Sequence, residues 1–222
     1  MTRSFLTLLL AGLSAAAASA HFVYVVPAAD GKSAKVVFSD SLDPDDGVPL
    51  AKLNGLTLTA VGADGTVSPV ATTPGEAFLA ASFPVPPRLV AGTLVYGLAG
   101  KGPKPALLVY HPKAVFGKAA PAALTLGATA ELEAVPEWTP GGVRFRLLAK
   151  GKPVAGADGS VLRPDGDKEA VTTDADGYTK PFAASGRYGV WLRHTTPTAG
   201  EHAGKKYDEV KRYATLVLDA GR

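Results

Sequence analysis

Imidazole groups are the main chemistry-bearing side chains of this 222-residue sequence, which contains four histidines and no cysteine. They are His21, His111, His194 and His202. The one methionine is Met1, so sulfur ligands are missing from the rest of the chain. Any metal must therefore be held by nitrogen and oxygen donors, a set that suits Cu(II) or Ni(II) and disfavours Cu(I).

The first twenty residues have the three-part pattern of a secretory signal peptide. A positive charge at Arg3 is followed by an apolar run that begins at Phe5, and small residues lead to Ala20. The 16 residues from Phe5 to Ala20 are fewer than the roughly 20 that cross a bilayer. We predict cleavage after Ala20, a periplasmic or secreted product, and no membrane span after cleavage.

Cleavage at this point makes His21 the N-terminal residue, with an α-amine and an imidazole that close a chelate ring around a metal. The α-amine has a pKa near ~8 and loses its proton more readily than a lysine does. This arrangement is the histidine brace of copper proteins. Further imidazoles must complete it, and His111, before Pro112 at a predicted strand end, and His194, at the rim of an apolar strand face, are the two candidates. The competing interpretation of His21, His111 and His194 is that each is an ordinary core or surface histidine.

A second group of candidate ligands is acidic. Asp40, Asp43, Asp45 and Asp46 lie in the loop-like stretch 39–47 and carry the oxygen atoms that Ca²⁺ prefers. A solvated turn is the competing interpretation. The sequence contains no Gly-x-Ser-x-Gly elbow and no glycine-rich phosphate loop, so hydrolase and nucleotide-binding functions are not indicated.

The elements that must position these residues are short β-strands. Runs rich in Val, Leu, Thr, Tyr and Phe are separated by many of the 25 glycines and 18 prolines, a pattern typical of all-β proteins. The predicted strands are 22–26, 34–38, 56–61, 78–83, 89–97, 106–110, 130–135, 143–149, 159–162, 170–173, 188–194 and 213–218. Asp-Gly pairs beginning at Asp64, Asp158, Asp165 and Asp176 predict turns. We expect a signal peptide at 1–20 and two β-sandwich domains at 21–125 and 126–222, with a linker at 116–129.

Several segments carry a resemblance to known families. The motifs GKPVAGA at 151–157, TTDADG at 172–177 and GRY at 186–188 resemble transthyretin-like, immunoglobulin-like and carboxypeptidase-regulatory domains. HFVYVVP at 21–27, YHPK at 110–113, VRFRLL at 143–148, RH at 193–194 and GKKYDE at 204–209 resemble exported proteins of domain of unknown function family 4198, which groups with NikM-like nickel- and cobalt-uptake components. The resemblance implies a β-sandwich and transition-metal handling, with His21, His111 and His194 as ligands.

Three functions are compatible with these features. The first is an exported, non-enzymatic protein that binds Cu(II) or Ni(II)/Co(II), with an envelope transporter or another envelope protein as its partner. The second is a metal-free β-sandwich that binds carbohydrate or an envelope protein. The third is a copper histidine-brace oxidoreductase. The net charge of +3 comes from scattered Lys and Arg residues, so no nucleic-acid partner is indicated.

Overall fold

The computed structural model describes residues 21–100 and 105–221, and the predicted signal peptide at 1–20 lies outside them. The predicted all-β class is confirmed, with seventeen strands in the described part of the chain. They are β1 (Phe22–Pro27), β2 (Ser33–Ser39), β3 (Thr57–Val61), β4 (Val67–Pro69), β5 (Thr72–Pro74), β6 (Leu79–Ser82), β7 (Leu89–Ala99), β8 (Ala106–Val115), β9 (Glu133–Thr139), β10 (Gly142–Ala149), β11 (Lys152–Pro153), β12 (Asp158–Leu162), β13 (Lys168–Thr172), β14 (Gly186–Thr196), β15 (Gly200–His202), β16 (Lys205–Tyr207) and β17 (Glu209–Ala220). Short 3-10 helices occur at Leu50–Leu53, Pro121–Leu124 and Gly127–Thr129. No helix within the described ranges is long and apolar enough to cross a membrane.

One eight-stranded sheet, the central sheet, contains strands from both predicted domains. Its order is β13-β12-β14-β17-β8-β7-β3-β4. The two parts of the chain join where β17 pairs in parallel with β8, from Glu209 opposite Ala106 to Val217 opposite Ala114. The predicted boundary between residues 125 and 126 therefore does not divide the strands into two separate sets of sheets.

A smaller sheet covers each face of the central sheet. The front sheet, β1-β2-β6-β5, packs against the face that carries Tyr110 and Val217, and the back sheet, β11-β10-β9, packs against the face that carries Leu192 and Leu216. Successive residues of a strand point to opposite faces. Each long central strand therefore contributes alternate side chains to two separate apolar cores, and this two-sided burial explains its near-continuous hydrophobic sequence.

Strand β8 does not end where its sequence predicts. We expected it to stop at Tyr110 because proline removes a backbone donor, but it continues through Pro112 to Val115. The pairing of β7 with β8 is interrupted around Pro112. Ala91 pairs with Lys113 and Leu94 pairs with Tyr110, and no residues pair between these two positions. Pro112 is thus accommodated where the ladder is open.

A buried ion pair fastens the central sheet to the back sheet. Lys113 Nζ lies 2.6 Å from Glu133 Oε2, and both side chains are only 2% exposed. Glu133 also accepts backbone N–H bonds from Leu126 and Gly127, and Lys113 donates to the carbonyl of Leu124. Burial lowers the pKa of Lys113, whereas the carboxylate of Glu133 opposes that shift. The connecting segment 116–129 is therefore anchored from both sides.

One of the predicted Asp-Gly turns is wrong. Asp158 and Gly159 begin strand β12, where a Cβ on Gly159 would collide with the carbonyl oxygen of Trp191 on β14. Glycine is needed at this position for a close approach of two strands rather than for a turn. By contrast, Gly177 has a φ of 81° in a turn in which Asp174 Oδ1 accepts the N–H groups of Asp176 and Tyr178, so the predicted turn is confirmed at this position.

Candidate functional site

The central sheet separates His21 from the other two predicted ligands. His21 immediately precedes β1 of the front sheet, and its ring lies against Phe38, with 5.9 Å between the ring centroids. His111 follows the front-facing Tyr110, so its side chain lies on the back face. His194 continues the back-facing series of Val190 and Leu192. Within residues 21–100 and 105–221, no three His, Cys, Asp or Glu side chains are grouped to hold a metal.

The imidazole of His21 is oriented by Asp45, which lies in the loop between β2 and β3. His21 Nε2 is 2.8 Å from Asp45 Oδ2, and the other carboxylate oxygen, Oδ1, accepts the N–H of Gly47 at 2.9 Å. The bond from His21, followed by the bond from Gly47, lowers the pKa of Asp45. Because a carboxylate accepts hydrogen bonds, Nε2–H of His21 is the donor, and the tautomer that this bond selects has its ring lone pair on Nδ1.

The rest of the predicted acidic group does not converge on Asp45. Asp40 Oδ2 lies 3.2 Å from Lys168 Nζ of β13, which ties the loop to the edge of the central sheet. Leu42 from the same loop packs over Gly189 of β14. The loop therefore folds over the C-terminal strands, and this fold brings Asp45 to His21.

Aromatic rings surround His21 on the front face. Tyr110 lies 5.6 Å from Phe38 and 5.7 Å from Tyr96 between ring centroids, and it stacks on Tyr213 at 5.4 Å. Phe22 contacts Tyr213 at 5.5 Å. Such offset and edge-on pairs are favoured by the quadrupoles of the rings. No local sequence pattern reveals this cluster, because its members come from five strands that are distant in the chain.

These rings line a cavity of about 440 Å³, here called the aromatic cavity. Its lining residues are His21, Phe22, Phe38, Gly47, Val48, Pro49, Lys52, Tyr96, Ala99, Leu108, Tyr110 and Tyr213. Burial, and to a lesser degree the neighbouring tyrosines Tyr213 and Tyr96, raises the pKa of Tyr110, so its phenol stays protonated. The cavity has the size and mainly apolar lining typical of small-molecule sites.

His111 occupies a different cavity, of about 350 Å³, on the back face beside the gap in the β7–β8 ladder. Its side chain is buried, Nδ1 is 3.4 Å from the Thr93 hydroxyl, and the buried Nε2 has no hydrogen-bond partner in the described chain. Burial, followed by the charge of Arg212, lowers the pKa of His111 to about 4. The same two causes lower the pKa of His194. The positive charge of Arg212, which acts on both imidazoles, also disfavours a metal cation beside them.

Asp45, as part of an acidic loop, and His21, as the predicted N-terminal residue, are both candidates from the sequence. Their pairing is not predictable, since the two residues are 24 positions apart and nothing local indicates that they meet. The alternation of side chains along β8 is a second feature that the sequence makes readable. It places Tyr110 and His111 on opposite faces, so a site built around one excludes the other.

Comparisons with known proteins add little to this picture. No protein-family model and no curated protein matches the chain, so the family resemblance stays a prediction. A crystal structure of a tetra-tandem repeat in the extending region of a large adhesion protein is 12% identical, with a TM-score of 0.24; the match covers 90% of this chain and 50% of that one. Pullulanase complexed with maltotriose from Anoxybacillus sp. LM18-11 is 13% identical, with a TM-score of 0.20, and the match covers 78% of this chain and 23% of that one. This chain thus spans half or less of the proteins it resembles.

Proposed function

We propose that this chain is an exported protein that binds a divalent transition metal, Cu(II) or Ni(II)/Co(II), through the α-amine and the Nδ1 atom of His21. The observation that carries the proposal is the hydrogen bond from His21 Nε2 to Asp45. Metal-ligating histidines usually donate their second ring nitrogen to a carboxylate, which sets the tautomer and the ring orientation. Because Asp45 binds Nε2 of His21, Nδ1 remains free to close a chelate ring around the metal together with the α-amine.

The site supplies two of the nitrogen donors that a divalent transition metal needs, both of them from His21. Two nitrogens of one residue suit Cu(II) or Ni(II), and the carboxylate that holds the ring is in place. His111 and His194 lie across the central sheet and do not share the site. The remaining coordination positions are therefore left to solvent or to a small external ligand, which suits a protein that takes up and releases its metal for an envelope transporter or another envelope protein.

The N-terminal amine provides a direct test. The chain processed to begin at His21 and the same chain retaining Ala20 are titrated with Cu(II), Ni(II) and Zn(II) by calorimetry, after N-terminal sequencing of both. The chain that retains Ala20 lacks the His21 α-amine as a ligand. Its affinity should therefore fall by more than the roughly 10-fold that follows the loss of a residue hydrogen-bonded to a ligand. Equal binding by both chains, or binding by neither, would contradict the proposal.

Asp45 provides a second prediction. The D45N variant of the processed chain should bind Cu(II) or Ni(II) roughly 10-fold more weakly, because an amide holds the ring less firmly and selects its tautomer less strongly. The matched control is D43N in the same loop, which should retain the affinity of the parent chain. If D45N and D43N bind alike, Asp45 does not support the metal site.

The second candidate, a metal-free binding module, is favoured by the aromatic cavity. A preformed cavity of about 440 Å³ beside the N-terminus suits an organic ligand whether or not a metal is present. This function remains if the processed chain fails to bind any of the three metals. The oxidoreductase alternative has less support, because Phe22, Phe38 and Tyr110 are buried rather than spread as a flat surface.

A further inference from the structure

We propose that the aromatic cavity binds a planar aromatic carboxylate, with the ligand ring against Tyr96 and Tyr213 and its carboxylate paired with Lys52. This site lies beside His21 but uses different groups, so it does not depend on metal binding. Three properties of the cavity lead to this ligand: the shape of its walls, the charge at its rim, and the scarcity of other polar side chains.

Aromatic side chains form much of the wall of the cavity. Phe38 and Tyr110 are almost fully buried and form a rigid base, with their ring centroids 5.6 Å apart. Tyr96 and Tyr213 contact that base at 5.7 and 5.4 Å and are only partly buried, so parts of their surfaces remain accessible. A planar ring gains both apolar burial and favourable ring–ring geometry against such walls.

Lys52 supplies a positive charge at the rim. It lies in the 3-10 helix Leu50–Leu53, is exposed, and holds its ammonium 5.3 Å from the centre of the Tyr96 ring. No carboxylate of the described chain forms an ion pair with it. The nearby carboxylate of Asp45 is instead engaged by His21 Nε2 and the Gly47 N–H. An incoming carboxylate would therefore find a cation that is already positioned over an aromatic wall.

The described lining of the cavity lacks the carboxylate and amide side chains that commonly recognise a sugar. Sugar hydroxyls both donate and accept, so they are commonly matched by carboxylate and amide side chains, yet no Asp, Glu, Asn or Gln is among the described lining residues. The polar side-chain atoms there are the ammonium of Lys52, the hydroxyls of the tyrosines and the His21 ring. Buried hydroxyls left without partners would weaken the binding of a sugar.

The test uses benzoate as the probe, in the presence of a chelator, with the folded chain processed to begin at His21. Calorimetry should show binding of benzoate, with at least roughly 10-fold weaker binding of benzamide, which has the same shape without the charge. Cyclohexanecarboxylate, which keeps the charge without the flat ring, should also bind more weakly. Cellobiose should not bind.

Variants assign the contacts. K52M should weaken benzoate binding by roughly 10-fold and leave benzamide binding unchanged, because only the charged ligand loses a partner. The matched control is K32M, an exposed lysine of the β1–β2 turn, which should behave as the parent chain. Y96L should reduce the preference for benzoate over cyclohexanecarboxylate, with thermal unfolding used to confirm its fold. The proposal is overturned if benzoate does not bind, if benzamide binds as tightly, if K52M has no effect, or if cellobiose binds in place of benzoate.

Discussion

The E133Q variant is expected to lose about 3–5 kcal/mol of unfolding free energy, because it leaves the buried ammonium of Lys113 without a carboxylate. The two side chains are 2% exposed and 2.6 Å apart, so water cannot replace the lost partner. Glutamine keeps the size of the side chain and an acceptor for the N–H groups of Leu126 and Gly127. The measured loss therefore reports the missing charge and not a cavity. Urea denaturation at neutral pH gives the free energy directly.

The control for this prediction is E131Q. Glu131 is half exposed and pairs at 3.0 Å with Lys150, which is also exposed, so its replacement should change stability by less than about 1 kcal/mol. The double variant K113M/E133Q removes both charges and should recover part of the loss, because no ion is then buried alone. Equal effects of E133Q and E131Q would show that the buried pair does not anchor the segment 116–129.

Acid should destabilise the folded chain through His111. The pKa of this residue is about 4 in the folded protein, compared with 6.5 for an unperturbed histidine. Between these two values the unfolded chain binds more protons than the folded one, so stability falls as pH decreases from 6.5 towards 4 and is unaffected by this residue above that window. The difference between the two pKa values corresponds to a loss of about 3 kcal/mol of unfolding free energy at pH 4.

The H111L variant isolates this contribution, because it removes the titrating group while keeping an apolar side chain of similar size. Other acidic groups titrate in both proteins, so the quantity to follow is the difference in unfolding free energy between parent and variant. That difference should be constant above pH 7.5 and should shift by about 3 kcal/mol in favour of the variant by pH 4. A difference that does not change with pH would mean that His111 is not held neutral by burial.

The local strand pattern of this protein was predictable from sequence. Alternation and turn residues located β1, β2, β3 and β10 to within one or two residues, because the side-chain period of a strand and the punctuation by glycine and proline are local properties. Other strand ends were less accurate, and two of the wrong predictions have a clear tertiary cause. Strand β8 passes through Pro112 where the ladder with β7 is open, and Gly159 lies in a strand because β14 approaches it closely.

The composition of the chain restricts the ligand chemistry to nitrogen and oxygen donors, and the N-terminal pattern predicts His21 as the first residue of the processed chain. The tertiary structure alone decided which residues surround it. The parallel pairing of β17 with β8 creates one central sheet with two covered faces, and this places His21 with Asp45 and Tyr110 on one side and His111 with Arg212 on the other. Strand order depends on how distant segments bury their apolar faces together, and no local pattern of residues encodes that order.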